Sequence, residues 1–279
     1  MVNKGVLATL FALLFSSFLF AQAQILQNPV DYKVMQLLGV KEYRINQKFI
    51  QRLFDNQGYF LDETGQPDLY KISKTLKQNG LLKLTFDEPM ELEIAFVVQD
   101  NPQAFVSALY DVLDAMGYYY FLVKQSLLDE RQFKFVLSMN TEYAIDPMLL
   151  QEKLSEYGYR VQSIERTNLF QWNYQIGLLD FKYPKASALV LNEPQRKANL
   201  QGEYWYSVEN GKEIGIKSSK EWYPKIVFYD KEFNVLEIIS SAKLMRGIQT
   251  TLPKNTKFIK VTDSYLPITI KNGLEVVLQ

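Results

Sequence analysis

Apolar and polar positions follow one rhythm in the first half of the chain and another in the second. Three segments of the first half share a pattern: a proline behind a polar residue, apolar residues at helical spacing, a glycine, then a short apolar run. The helical stretches are 68–79 behind Gln66 and Pro67, 103–116 behind Asn101 and Pro102, and 148–157 behind Asp146 and Pro147. They stop at Gly80, Gly117 and Gly158 and continue as strand-like runs at 81–86, 118–123 and 159–164. Proline suits the first helical turn, where its missing N–H has no partner to lose, and glycine accepts the left-handed backbone that closes a helix. Phe105, Leu109, Val112, Leu113 and Met116 fall on one helical face. Strand-like runs at 92–98 and 133–139 precede two of the helices, and a fainter fourth copy covers 47–57, Gly58 and 59–61.

From residue 81 the predicted order is strand, strand, helix, strand, strand, helix, strand, strand. That order is α+β, with two consecutive strand–helix–strand halves of a ferredoxin-like or related two-layer module. In topology it resembles the small periplasmic domains of secretin, POTRA and SPOR proteins. The resemblance implies a module that binds proteins or glycan strands; a duplicated scaffold without a ligand of its own fits the pattern equally.

After Gly177 the helical period disappears. Residues 181–201, with Pro184 and Pro194, read as a connector holding at most one short strand at 188–191. From Gly202 the chain is turns and strands: 204–208, 213–216, 225–230, 234–239, 256–261, 268–270 and 274–278. Asn210–Gly211 and Asn272–Gly273 predict hairpin turns, since both residues tolerate positive φ. Short strands at this spacing predict a β-sandwich or jelly roll. The domain reading is therefore a signal peptide at 1–23, a helical or α+β segment at 24–80, a duplicated β-α-β module at 81–180, the connector at 181–201, and a sandwich at 202–279.

The run Ile226–Asp230, then Asn234–Leu236, Thr250–Pro253 and Lys257–Val261 resembles the late strands of galactose-binding-like β-sandwiches. Phe258 and Lys260 stand where that superfamily usually has Tyr and Arg. The resemblance implies a sandwich fold that in many relatives binds carbohydrate and in others only joins domains. No calcium-loop pattern of clustered Asp accompanies it.

The start of the chain carries Lys4, an apolar run from Val6 to Phe20, and Ala21 and Ala23 flanking Gln22. A charged start, a short apolar core and small residues before a cut make a secretory signal peptide, with cleavage near Ala23 leaving Gln24 first. No later window reaches membrane-spanning length. An exported chain without cysteine suits a bacterial periplasm or exterior better than a disulfide-forming route.

Composition then narrows the chemistry. The 279 residues contain 31 Lys+Arg, 31 Asp+Glu, no Cys and no His. Neutral charge without a basic block argues against nucleic acid as a partner. Without Cys or His, thiol nucleophiles, disulfides, His-based triads and structural zinc are excluded, and neither a cofactor nor a metal is expected. An enzyme here would have to work through carboxylates, Ser/Lys or Tyr. Ser240 to Lys243 matches S-x-x-K, but the motif's companions are missing and a strand runs straight into Ser240. Asp87, Glu88, Glu91 and Glu93 crowd the segment around Pro89 and read as a solvated bend and an outer strand face.

Aromatic residues, 14% of the chain, supply the candidate site. Alternation puts Trp205 opposite Tyr204 and Tyr206, and Trp222 with Tyr223 follows the polar stretch 217–221, which reads as a loop tip. Flat rings in such places stack on sugars or anchor in a partner's pocket. The alternative is that Trp205 is a core residue and Trp222 closes an open end of the sandwich. The sequence thus predicts a non-catalytic envelope protein that assembles with another protein. One alternative is a glycan or peptidoglycan binder using Trp205, Trp222 and Tyr223; a second is a carboxylate-dependent hydrolase.

Overall fold

The structure, a computed structural model, describes residues 28–279; the expected signal peptide and its cleavage position lie outside the described residues. It is an α+β protein with six α-helices and 14 strands in three sheets among the described residues. The chain separates into two compact units. One holds the described residues up to Asp100 with Val112–Ser155 and Tyr159–Gly177; the other holds Asn101–Asp111, Glu156–Gly158 and Leu178–Gln279. No helix among the described residues is long and apolar enough to cross a membrane.

The first unit opens with helices α1 (Pro29–Leu38), α2 (Val40–Ile45) and α3 (Gln47–Leu53), then a 3-10 turn at Gln57–Phe60 and α4 (Leu69–Gln78). Local chemistry sets their starts. Asn28 accepts from the amides of Val30 and Asp31 ahead of α1, and Asp68 accepts from Tyr70 and Lys71 ahead of α4. The faint fourth copy is thus partly realised: 47–53 is helical, but 59–61 forms no strand. Asp62 fastens the turn between the 3-10 segment and α4 by accepting from Thr64 and Gln66, and it pairs with Arg160.

Hydrogen bonds from Arg160 and then Thr64 hold the Asp62 carboxyl well below the usual carboxylate range. A depressed folded pKa stabilises above the unfolded value, near 4, and that contribution is lost as pH falls through the folded value. Asp62→Asn is therefore expected to lower the midpoint of thermal unfolding at pH 7. The gap from the wild type should narrow steadily in acid below pH 4; a gap independent of pH would refute the assignment.

The sheet of this unit contains β1 (Thr85–Val98), β2 (Leu122–Leu128), β3 (Phe133–Tyr143), β4 (Tyr159–Asn168) and β5 (Gln171–Leu178) in the order β2-β3-β1-β5-β4. Helix α5 (Pro102–Ala115) connects β1 to β2, and α6 (Pro147–Glu156) connects β3 to β4. Gly80, Gly117 and Gly158 end their helices at φ of 71°, 89° and 83°. The predicted strand 92–98 is the second half of the 14-residue β1, which takes in only residues 85 and 86 of the predicted 81–86 and shifts register between Thr85 and Met90 around Pro89. Proline has no ladder donor, which accounts for the irregularity there. Of the predicted 118–123 only Leu122 and Val123 are strand, at the start of β2. The two strand–helix–strand halves are not equivalent. The first crossing passes over β3 alone, whereas the second passes over β1 and β5. The difference is β5, which returns after residues 169 and 170 and lies parallel to β1 from Glu93↔Gln171 to Val98↔Ile176.

The sheets of the second unit use β6 (Ala186–Ala188), β7 (Gln195–Lys197), β8 (Glu203–Ser207), β9 (Glu213–Trp222), β10 (Pro224–Tyr229), β11 (Val235–Ser240), β12 (Met245–Thr251), β13 (Phe258–Asp263) and β14 (Leu274–Leu278). One is ordered β11-β10-β13-β8-β6, the other β12-β9-β14-β7. Tyr204, Tyr206, Phe228 and Val261 of the first and Ile214, Ile216, Trp222, Val276 and Leu278 of the second share one core, a sandwich-like arrangement. The connector belongs to it and holds two strands, not the single one expected at 188–191, since β6 pairs with β8 and β7 with β14.

Neither Asn–Gly pair makes a hairpin. Gly211 leads from β8 to β9, which lie in different sheets, and residues 267–270 form a 3-10 turn, not a strand. Gly273, at φ 118°, is required because a Cβ there would come within 2.9 Å of the Lys197 carbonyl oxygen. The hairpin that does form nearby is β10–β11, whose turn is tied by the Asp230 carboxylate accepting from the Glu232 and Asn234 amides.

Candidate functional site

The three aromatic residues picked from the sequence occupy three different environments. Trp222 is not at a loop tip. Residues 217–221 continue β9, and Trp222 at its end is 0% exposed within the shared core. The segment reads as a loop because β14 covers β9 only to Ser218 and the pairing with β12 is irregular between Lys217 and Trp222. Tyr223, half-buried, meets the exposed Tyr265 edge-on at 4.7 Å, and its amide donates to Asp263.

Trp205 lies on the face of β8 opposite Tyr204 and Tyr206, which enter the core, so it shares no surface with Trp222. Its ring is half-buried among aromatic neighbours: Phe233 stacks on it at 5.5 Å, Tyr229 lies at 5.4 Å and Tyr183 meets it edge-on at 4.8 Å. The Lys260 ammonium sits 5.2 Å from the ring centroid. The indole N–H donates to Glu203, which also pairs with Lys260 at 2.8 Å. Burial pushes the Glu203 carboxyl up, but the bonds from Lys260 and Trp205 outweigh it and hold the group below the usual range. Beside this ring is a cavity of about 240 Å³ lined by Lys185, Lys197, Asn199, Gln201, Glu203 and Trp205. Lys185 is positioned by Asp111 at 2.5 Å, and Lys197 by Ser187 at 2.9 Å.

In the first unit the most unusual surface is β2. It is an edge strand, and every one of its side chains is exposed. Register with β3 puts Val123, Ser126 and Leu128 on one face of the sheet and Leu122, Gln125 and Leu127 on the other. Leu122 is 71% and Leu128 65% exposed, and the approach to the strand carries Tyr120 at 92%. An edge strand leaves every second backbone N–H and C=O unpaired, and proteins usually blunt such edges with charge, proline or a covering element. Here Lys124 turns back onto the sheet to bridge Glu91 at 2.5 Å and Glu93 at 3.3 Å. The strand's remaining outward side chains are apolar or uncharged.

That bridge also decides how the acidic segment reads. Hydrogen bonds from Lys124 and Ser138 hold the Glu91 carboxyl below its ordinary range, the wrong direction for a general acid at neutral pH. Ser240 ends the edge strand β11, and Ser241 bonds the backbone of Lys243, so the S-x-x-K stretch starts no helix. Among the described residues no cluster of acidic side chains is arranged to hold a metal ion.

Sequence reasoning missed β2 as a candidate because strand order is a long-range property; its signal was the run from Tyr119 to Leu128, aromatic or apolar at both ends with one charge, Lys124, between them. No family model matches the chain, and no curated protein matches it.

Proposed function

We propose that this is a non-catalytic, exported cell-envelope protein that acts by binding another protein through the edge strand β2. The observation that carries the reading is the exposure of both faces of β2 together with its unpaired backbone edge. The occupant that fits is an extended segment of a partner protein. Only another strand satisfies a row of backbone donors and acceptors while covering apolar side chains on both faces. The expected export signal at 1–23 would deliver such a protein to the periplasm or the exterior.

A second reading rests on the cavity beside Trp205, with its two lysines, two amides and one carboxylate, in a sandwich whose strands 226–261 resemble galactose-binding-like modules. It favours glycan binding with Trp205 as one wall. The stacking of Phe233 on Trp205 favours the protein-binding reading, because it occupies ring face that a sugar would need.

One experiment separates the two. A photo-crosslinking residue is placed at Leu127 in the full-length chain in cells, with the exposed Leu200 as a control position. A discrete crosslinked partner at Leu127 alone, lost when Leu122→Lys is added, supports strand docking; crosslinks at neither position, or the same at both, sink it. Co-sedimentation with purified peptidoglycan that Trp205→Ala abolishes would transfer the function to the cavity.

A further inference from the structure

Helices α2 and α3 follow one helical path. At their junction the Asn46 amide donates to the Glu42 carbonyl and the Ile50 amide to the Asn46 carbonyl, so the turn runs on through it. Tyr43, Ile50 and Phe54 point inward from this path and are buried. The outward side carries two adjacent stripes. Lys41, Arg44, Lys48 and Arg52, all exposed, recur at three- and four-residue spacing, so their side chains follow one another along the helix surface. Ile45 and Phe49, one turn apart, run beside them and are 67% and 44% exposed. Among the described residues Lys41, Lys48 and Arg52 pair with no carboxylate. Lys48, Gln51, Arg52 and Asp55 line an open hollow of about 470 Å³. The carboxylates along this path are Glu42 and Asp55, so cations outnumber them on the face.

An outward helix face in water is ordinarily polar, and Ile45 and Phe49 depart from that beside a row of cations. Three kinds of occupant ask different things of such a face. A soluble polyanion uses the cations alone and leaves both apolar side chains in water. A protein interface covers apolar side chains, but lysine is depleted from its core. An anionic bilayer surface uses both stripes. Its phosphates meet the cations, the aliphatic stems of lysine and arginine lie along the boundary, and isoleucine and phenylalanine enter the acyl layer.

We propose that the outward face of α2 and α3 docks on the surface of an anionic lipid bilayer, with Ile45 and Phe49 inserted and one headgroup phosphate seated between Lys48 and Arg52. The face is separate from β2 and its docking needs no partner strand, so its failure and that of strand docking are independent.

The test mixes the full mature chain with vesicles of phosphatidylcholine alone, or of equal parts phosphatidylcholine and phosphatidylglycerol, and reads the bound fraction by co-sedimentation. The expected result is saturable binding to the mixed vesicles that falls as sodium chloride is added, and none to phosphatidylcholine alone. Lys48→Ala with Arg52→Ala is expected to weaken binding at least about tenfold, since each basic residue near an anionic surface contributes a factor of about five. Lys220→Glu with Lys243→Glu, at exposed lysines of the second unit, changes the net charge more and leaves binding intact. Ile45→Ser with Phe49→Ser weakens binding as well, and the emission of a Phe49→Trp variant shifts to the blue on the mixed vesicles. No binding of the wild type to the mixed vesicles, or equal binding to both kinds, overturns the proposal. An equal loss in the Lys220 and Lys243 variant would report net charge alone and overturns it too. Binding to soluble heparin as tight as to the mixed vesicles, and unchanged by Ile45→Ser with Phe49→Ser, assigns a polyanion and overturns the membrane assignment. The wild-type comparison of the two vesicles decides the matter even if a variant fails to fold.

Discussion

Trp222→Ala is expected to destabilise the second unit by about 3–5 kcal/mol, the range for removing a large aromatic side chain from a packed core. Trp222 is 0% exposed and belongs to a core fed by both sheets, with Ile216, Phe228 and Leu274 among its members. The loss therefore acts on the face-to-face packing of the two sheets and not on one strand alone. Trp222→Phe supplies the contrast. The indole Nε1 is buried without a hydrogen-bond partner, and an unsatisfied buried donor costs roughly 1–3 kcal/mol. Phenylalanine removes that donor while keeping much of the ring, so the Phe variant is expected to lose far less stability than the Ala variant. Chemical denaturation followed by circular dichroism reads both. The two units need not unfold together, so the transition of the second unit is fitted separately. An Ala variant within 1 kcal/mol of the wild type would contradict the placement of Trp222 in the core. Any loss of binding in Trp222→Ala would thus report unfolding, which is why Trp205 is the residue to mutate when glycan binding is tested.

What the sequence disclosed was whatever local chemistry decides. The starts of α4, α5 and α6 and the glycines that end them were legible because a cap or a positive-φ residue acts within one turn of its own position. The Asn–Gly pairs misled because their conformational freedom is real but not specific. Gly211 uses it to carry the chain between sheets and Gly273 to let a backbone carbonyl approach. The polar run 217–221 looked like a loop because polarity reports missing neighbours, and a stretch of strand left by β14 and paired irregularly with β12 lacks neighbours much as a loop does. Strand order was hidden altogether, and with it the edge position of β2 and the intrusion of β5 beside β1.

The second large effect is expected at Gly202, where conformation and space both forbid a side chain. Its φ is 67°, and an added Cβ would fall 1.7 Å from the Pro267 carbonyl oxygen and 2.3 Å from its carbon. The left-handed backbone alone costs a non-glycine residue roughly 1–2 kcal/mol. The clash adds to this, because both atoms belong to main chain that cannot rotate away as a side-chain tip would. Gly202 sits just before β8, and the Gly202 carbonyl accepts from Thr262 of β13 at 3.2 Å. Displacing it therefore disturbs the β8–β13 pairing and the 3-10 turn at Pro267–Ile270 together. Gly117 is the internal control, since its φ is 89° but nothing lies within 4 Å of an added Cβ. Gly117→Ala is accordingly expected to lose only the conformational increment, whereas Gly202→Ala should exceed about 3 kcal/mol, a size reserved for strain or packing failure. Denaturant midpoints of the two variants, each fitted for its own unit, make the comparison. Equal losses at the two glycines would mean that the close approach of Pro267 to Gly202 does not persist in solution.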